Sequence, residues 1–147
     1  MIKTAREWDI PLGEFPLLSS DKLRYADTDQ QGHINNALFS TFLETGRVEL
    51  LQHLDLIKDK SPFSFVIASL QLDFIQQLYW PGQVHIATGI LKIGTSSIHL
   101  HQALFQDQHC VARANTVIVQ IENMSAKAVP FGEVRRQLLK SYQFPEI

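Results

Sequence analysis

Residues 27 to 36 read Asp27-Thr28-Asp29-Gln30-Gln31-Gly32-His33-Ile34-Asn35-Asn36, a polar run that interrupts an otherwise apolar chain. Few purely structural loops need so many titratable and amide groups in so short a stretch. Directly after it, Phe39, Leu43, Gly46, Leu50 and Leu54 recur at steps of three and four, while Ser40, Glu44, Arg47, Gln52 and Asp55 fill other faces. This spacing predicts an amphipathic helix of about five turns. Asn35 or Asn36 can cap it by accepting one of the unpaired first-turn N–H groups. The polar run therefore ends where a helix begins.

Beyond the helix the pattern changes. Gly46 costs about 1 kcal/mol relative to alanine inside a helix, and close approach of the helix to a sheet is the simplest compensation. After Pro62 the period becomes two: Val66, Ala68, Leu70, Leu72 and Phe74 share one predicted face, and Ser69, Gln71 and Asp73 the other. Pro81-Gly82 marks a turn, and Val84 to Ile93, Ser96 to Phe105 and Cys110 to Ile121 read as three further strands with short links that favour antiparallel neighbours. A short strand within Leu17 to Ala26 precedes the polar run. A terminal helix is expected over Phe131 to Tyr142, with Val134, Leu138 and Leu139 spaced for burial and Arg135, Arg136 and Lys140 outside. The expected fold is α+β, an antiparallel five-stranded sheet wrapped around one long central helix. Residues 1–16, with Pro11, Gly13 and Pro16, read as an arm anchored by Trp8 and Phe15, and 17–147 as one domain.

Composition narrows the function. A chain of 147 residues that is 45% hydrophobic can bury one core. Its 13 basic and 15 acidic side chains, formal net charge -2, offer no field for nucleic acid or an anionic membrane surface. Cys110 is the only cysteine, which excludes an intramolecular disulfide or redox pair and fits a reducing compartment. No apolar run suggests a signal peptide or a membrane span, so a cytoplasmic protein is expected.

The helix start next to the polar run can polarise a carbonyl or hold a developing oxyanion, and a nearby carboxylate can then act on that carbonyl. His33 can orient substrate or water without a metal. Such a set suits acyl transfer to water. A thioester needs only modest help, because its leaving thiol has a pKa of about 8.5.

Arg24-Tyr25-Ala26-Asp27-Thr28-Asp29 followed by Gly32-His33-Ile34-Asn35-Asn36 resembles the 4-hydroxybenzoyl-CoA thioesterase-like and plant acyl-carrier-protein thioesterase families. The likeness extends over roughly Leu17 to Leu139, through Glu44, Arg47 and Glu49 on the helix, Asp73-Phe74, Pro81-Gly82 and Gly94-Thr95-Ser96-Ser97. It implies the hotdog fold and a thioester hydrolase acting on an acyl-CoA or acyl-carrier-protein thioester. It places the catalytic carboxylate on Asp29, with His33 matching the histidine of the plant-type loop. Gln31 stands where plant-type enzymes have asparagine, and Phe39 where related sequences often have tyrosine. Some hotdog enzymes use a helix glutamate, which makes Glu44 a further catalytic candidate. Gln31, Gly32, Asn35, Asn36 and Ala37 are the expected substrate-binding residues, the helix-start amides holding the carbonyl oxygen. The resemblance also implies a homodimer or a dimer of dimers, with each site drawing on both subunits. No metal and no organic cofactor is expected; coenzyme A enters only as part of the substrate.

Structural readings stand beside these. Asp27 can be a turn residue, and Asn35 and Asn36 caps rather than catalysts. His99 and His101 share a strand face but lack a third ligand, so a solvent-facing strand is expected there. Cys110 reads as a small apolar strand residue. Two rival functions are a hotdog hydratase or dehydratase and a non-catalytic acyl-CoA-binding protein.

Overall fold

The computed structural model describes residues 9–29 and 32–145. The chain runs through β1 (Leu17–Lys22), α1 (Ala37–His53), β2 (Phe63–Phe74), β3 (Gln83–Ile93), β4 (Ser97–Gln106), β5 (His109–Glu122) and α2 (Glu133–Lys140). The five strands form one antiparallel sheet in the order β1-β3-β4-β5-β2. The short links make β3, β4 and β5 neighbours, as expected. β2 instead crosses to the far edge and pairs with β5. The 17-residue α1, about 25 Å long, lies against one face of the sheet over β3 and β4. This is the hotdog arrangement.

Two buried groups set how closely helix and sheet approach. A Cβ on Gly46 would lie 2.7 Å from Ile86 Cγ2, 2.8 Å from Gln102 Nε2 and 2.9 Å from Thr88 Oγ1. The glycine is there because a methyl group does not fit. Gln102, fully buried on β4, donates through Nε2 to the Leu43 carbonyl at 3.0 Å and to Thr88 Oγ1 at 3.0 Å. Its Oε1 accepts from Arg47 at 3.3 Å. One amide thus ties the helix backbone to two strands, and the apolar core closes around it: Phe39, Leu43, Ile86 and Leu104 at one end, Leu50, Ile90, Leu100 and Leu139 at the other.

The period-two reading of β2 needs one correction. The pairing with β5 slips between Ile67 and Ser69, so Ala68 is an inserted residue. A bulge of this kind exchanges the two faces of a strand. Phe65 and Ile67 therefore share the helix-facing side with Leu70, Leu72 and Phe74, and Val66 falls on the opposite side with Ser69, Gln71 and Asp73.

The other face of the sheet is exposed over β2 and covered over β3 and β4. Phe15, Ala87, Ala103 and Phe105 form a cluster there, joined by Ile10, Leu12 and Phe144. His101, expected to be solvent-facing, is 1% exposed beneath Phe15 and Phe144, with ring centroids 5.8 and 6.3 Å away. Its Nδ1 lies 2.9 Å from Asn115 Oδ1. Ile10, Leu12, Phe15 and Phe144 cover this part of the face, which strand periodicity could not reveal. Phe15 packs into this cluster, and Trp8, the other expected anchor, lies outside the described residues.

The terminal helix is shorter than expected. Leu139 is buried, but Val134 and Leu138 are exposed. Arg135 and Arg136, expected outside, are half-buried: Arg135 bonds Gln120 and stacks over the Phe63 ring, and Arg136 donates to the Gly94 carbonyl at 2.8 Å. Arginine stems and guanidinium faces cover apolar surface here in place of aliphatic side chains. Among the described residues, no helix is long and apolar enough to cross a membrane.

Candidate active site

The polar run is built in two halves around Gly32. In the first, a 3-10 turn over Tyr25–Asp27 is closed by a reciprocal cap. The Asp27 carboxylate accepts the Arg24 backbone N–H at 2.9 Å and the Arg24 guanidinium at 2.9 Å. Burial works to raise the Asp27 carboxyl, but the Arg24 hydrogen bonds and charge outweigh it and hold the group below the usual carboxylate range. Asp27 is therefore the structural member of the pair of aspartates.

Asp29 is exposed and faces the second half. Thr28 and Ile34 form an antiparallel bridge, the Asp29 N–H donates to the His33 carbonyl at 2.7 Å, and the His33 N–H donates to Asp29 Oδ1 at 3.2 Å. The return is tight, and Gly32 takes a φ of +78°, a left-handed conformation that side chains disfavour. Gln31, one of the expected binding residues, lies outside the described residues.

The loop is fastened to the β2–β3 connection. Ile34 N–H donates to the Leu78 carbonyl at 2.7 Å and Trp80 N–H to the Gly32 carbonyl at 3.3 Å. The His33 ring meets Tyr79 edge-on, centroids 5.1 Å apart. Gln106 holds Tyr79 from both sides, its Oε1 accepting the Tyr79 N–H at 3.1 Å and its Nε2 donating to the Tyr79 carbonyl at 2.8 Å. This clasp is absent from the sequence reading. Gln106 sits at a strand end some seventy residues from the loop, and a lone glutamine there carries no local signal.

At the helix start the two asparagines divide the work. Asn35 Oδ1 accepts the Ala37 N–H at 3.0 Å, and the Asn35 and Asn36 carbonyls accept from Leu38 and Phe39 at 3.0 and 3.2 Å. Asn35 is thus the capping side chain, and Ala37 and Leu38 spend their N–H groups on it. The Asn36 N–H meets no protein acceptor among the described residues. Asn36 also lines an open pocket of about 280 Å³ with Phe74, Ile75, Gln76 and Gln77. The last four were not singled out as site residues. Their place follows from β2 crossing to the edge beside β5, where the bulged Val111 carbonyl accepts the N–H groups of Ile75 and Gln76 at 2.9 and 3.1 Å.

Glu44 is exposed on α1, two turns beyond Asn36. Steps of three and four place Asn36, Ser40, Glu44 and Arg47 along one flank of the helix. Cys110 is half-buried, its thiol 3.4 Å from the Ala112 carbonyl, and burial pushes that thiol up, away from reactivity. Among the described residues, no three His, Cys, Asp or Glu side chains gather as a metal site would require.

Of the residues expected at the site, Asn36 lines the pocket at the helix start, whereas Asp29, His33 and Glu44 are not among the described residues that line it. Residues 23–139 match the family model described as the thioesterase-like superfamily. YsmA of Bacillus subtilis is 26% identical over 137 residues, covering 89% of this chain and 92% of its own. The acyl-CoA thioesterase YbgC of Helicobacter pylori is 23% identical over 126 residues, covering 86% and 92%. A thioesterase from Thermus thermophilus, solved in complex with coenzyme A and zinc, superposes with a TM-score of 0.79 at 22% identity, covering 90% of this chain and 98% of that one. With four-fifths of its length matched and the fold shared, this chain belongs to the thioesterase-like superfamily of thioester hydrolases.

Proposed function

We infer that the protein hydrolyses acyl-CoA thioesters to the free acid and coenzyme A. The observation that carries this reading is the Asn36 N–H, without a protein acceptor among the described residues, at a helix start that opens on a pocket and directly follows the Asp29–His33 loop. The thioester carbonyl oxygen sits at Asn36, where the N–H and the helix dipole stabilise the negative charge that develops on it. Asp29 acts as general base, taking a proton from the attacking water, or attacks the carbonyl carbon itself and forms an anhydride that water then opens. The C–S bond breaks and the sulfur leaves as thiolate, which takes up a proton. His33 orients the loop and substrate, Gly32, Asn35 and Ala37 shape the helix start, and Glu44 borders the acyl path. No metal or organic cofactor takes part. Coenzyme A as the carrier is supported by what the Helicobacter relative is named for and by the ligand bound to the Thermus structure.

A second copy of the chain belongs to this reading. β2 is a sheet edge, and Val66, Ile67, Leu70, Phe74 and Ile75 on or beside it are exposed. An apolar edge of this length invites strand pairing. A homodimer, alone or doubled, covers it and closes the open side of the pocket. A cytoplasmic setting, expected from the single cysteine, is part of the same reading.

The experiment is thiol release from acyl-CoAs of varied chain length and an aromatic acyl-CoA, with acyl-carrier-protein thioesters in parallel. Free thiol with CoA substrates is expected. Altered acyl chains without thiol release would instead mark a hydratase, and binding without turnover a sensor.

A further inference from the structure

Three of the five residues that line the pocket at the helix start carry carboxamides, Asn36, Gln76 and Gln77. All three are exposed, and among the described residues neither glutamine side chain has a hydrogen-bond partner. The Gln77 N–H, like the Asn36 N–H, meets no protein acceptor among them. The connection that carries the glutamines is nevertheless held on both sides. Before them the Val111 carbonyl accepts the Ile75 and Gln76 N–H groups at 2.9 and 3.1 Å, and after them the carbonyl of the buried Leu78 accepts the Ile34 N–H at 2.7 Å. The pocket is therefore lined by positioned amide donors and acceptors that the protein leaves to solvent.

The pocket does not open into the apolar core, because Phe74 on its inner side packs against the buried Phe39, ring centroids 5.1 Å apart. A thioester bound with its carbonyl oxygen at Asn36 sends an acyl arm and a pantetheine arm away from that point. A hydrocarbon acyl chain offers a carboxamide nothing to bond, and laying it over these side chains would cost them their hydration. The pantetheine arm carries a secondary amide separated from the sulfur by a short ethylene link. That amide has one N–H and one C=O, and a glutamine carboxamide can answer both.

We propose that this pocket receives the pantetheine arm and that Gln76 and Gln77 hold the amide nearest the sulfur, so that the enzyme selects thioesters of amide-bearing thiols over simple thioesters. The inference rests on the thioesterase reading above and assigns these two side chains to the leaving-group side of the substrate. The same amide occurs in coenzyme A and in the phosphopantetheine of an acyl-carrier protein, so the subsite favours both carriers alike. Because the amide takes no part in bond breaking, its hydrogen bonds act on binding and appear mainly in KM.

The test compares thiol release from octanoyl-N-acetylcysteamine with release from the S-(2-acetoxyethyl) thioester of octanoic acid, in which an ester oxygen replaces the amide N–H and little else changes. The wild type is expected to favour the amide in kcat/KM by about tenfold, the scale of one hydrogen bond lost with its partner left unpaired. The double variant Gln76→Leu, Gln77→Leu should bring that ratio close to one, by raising KM for the amide while leaving the acetoxyethyl substrate within about twofold of its wild-type rate. Both positions are exposed, so the fold should tolerate the change. A purely structural role for the glutamines would lower both rates together and keep the ratio, which overturns the proposal. Equal wild-type rates on the two substrates overturn it without any variant and leave the hydrolase reading standing, whereas no release from these or from any acyl-CoA sinks both.

Discussion

Asp29 and His33 exchange two hydrogen bonds across their loop, the Asp29 N–H donating to the His33 carbonyl at 2.7 Å and the His33 N–H donating to Asp29 Oδ1 at 3.2 Å. The carboxylate proposed to react is thus also an acceptor that shapes the loop. An asparagine keeps that acceptor and loses the charge. Asp29→Asn is expected to fold as the wild type does and to lose on the order of 10²-fold or more in kcat, the scale of a positioned base. Undiminished thiol release by this variant would remove Asp29 from the mechanism.

Asn35, rather than Asn36, caps α1 through Ala37. Replacing a capping asparagine by alanine costs about 1 kcal/mol, or a fall in Tm of roughly 2–4 °C for a chain of this size. Asn35→Ala should show that loss in thermal unfolding and Asn35→Asp should recover most of it. The same loss from Asn36→Ala, with none from Asn35→Ala, would reverse the assignment.

Gly46→Ala sets two effects against each other. Alanine favours the helix by about 1 kcal/mol, but its methyl group overlaps Ile86, Gln102 and Thr88, and overpacking of a close helix–sheet contact costs about 1–3 kcal/mol. Since two of the three contacts are polar atoms bonded to each other, the clash also strains the link between Gln102 and Thr88. A net loss is expected in urea unfolding. A variant as stable as the wild type or more so would show that the sheet yields easily there.

Asp27 makes stability depend on pH with a definite sign. Its carboxyl is held below the ordinary value in the folded protein, where Arg24 outweighs the burial that works against it. The unfolded chain therefore binds the proton more readily. The contribution is complete above the unfolded value of about 3.9 and disappears as pH falls through the lower folded one. Asp27→Asn should be less stable than the wild type at pH 7, with the gap narrowing below about pH 4. A gap that stays constant from pH 7 to pH 3 would mean that the Arg24 pair contributes no charge-dependent stability.

Ile67 projects from the free edge of the sheet on the helix-facing side, half exposed. A charge there blocks edge-to-edge association without entering the core. Ile67→Lys is expected to sediment as a smaller species than the wild type while keeping its far-ultraviolet circular dichroism. If both sediment alike as monomers, the second copy drops out of the proposed site.

Adjacent residues determined much of this protein. The polar run from Asp27, the capping asparagine, the helical spacing from Phe39 to Leu54 and the close approach implied by Gly46 can all be read in the chain, because caps, turns and helical periods act over a few residues. Tertiary structure decided the rest. The bulge at Ala68 reversed the face of Val66, and Phe15 and Phe144 buried His101, which a strand pattern alone left in solvent. Gln102 and Gln106, ordinary polar residues in sequence, became the ties that hold the helix to the sheet and the β2–β3 connection in place beside the loop. Asn36 found its pocket only because β2 lies beside β5. Register, burial and hydrogen-bond partners of this kind arise between segments tens of residues apart, and no local pattern encodes which distant group a side chain will meet.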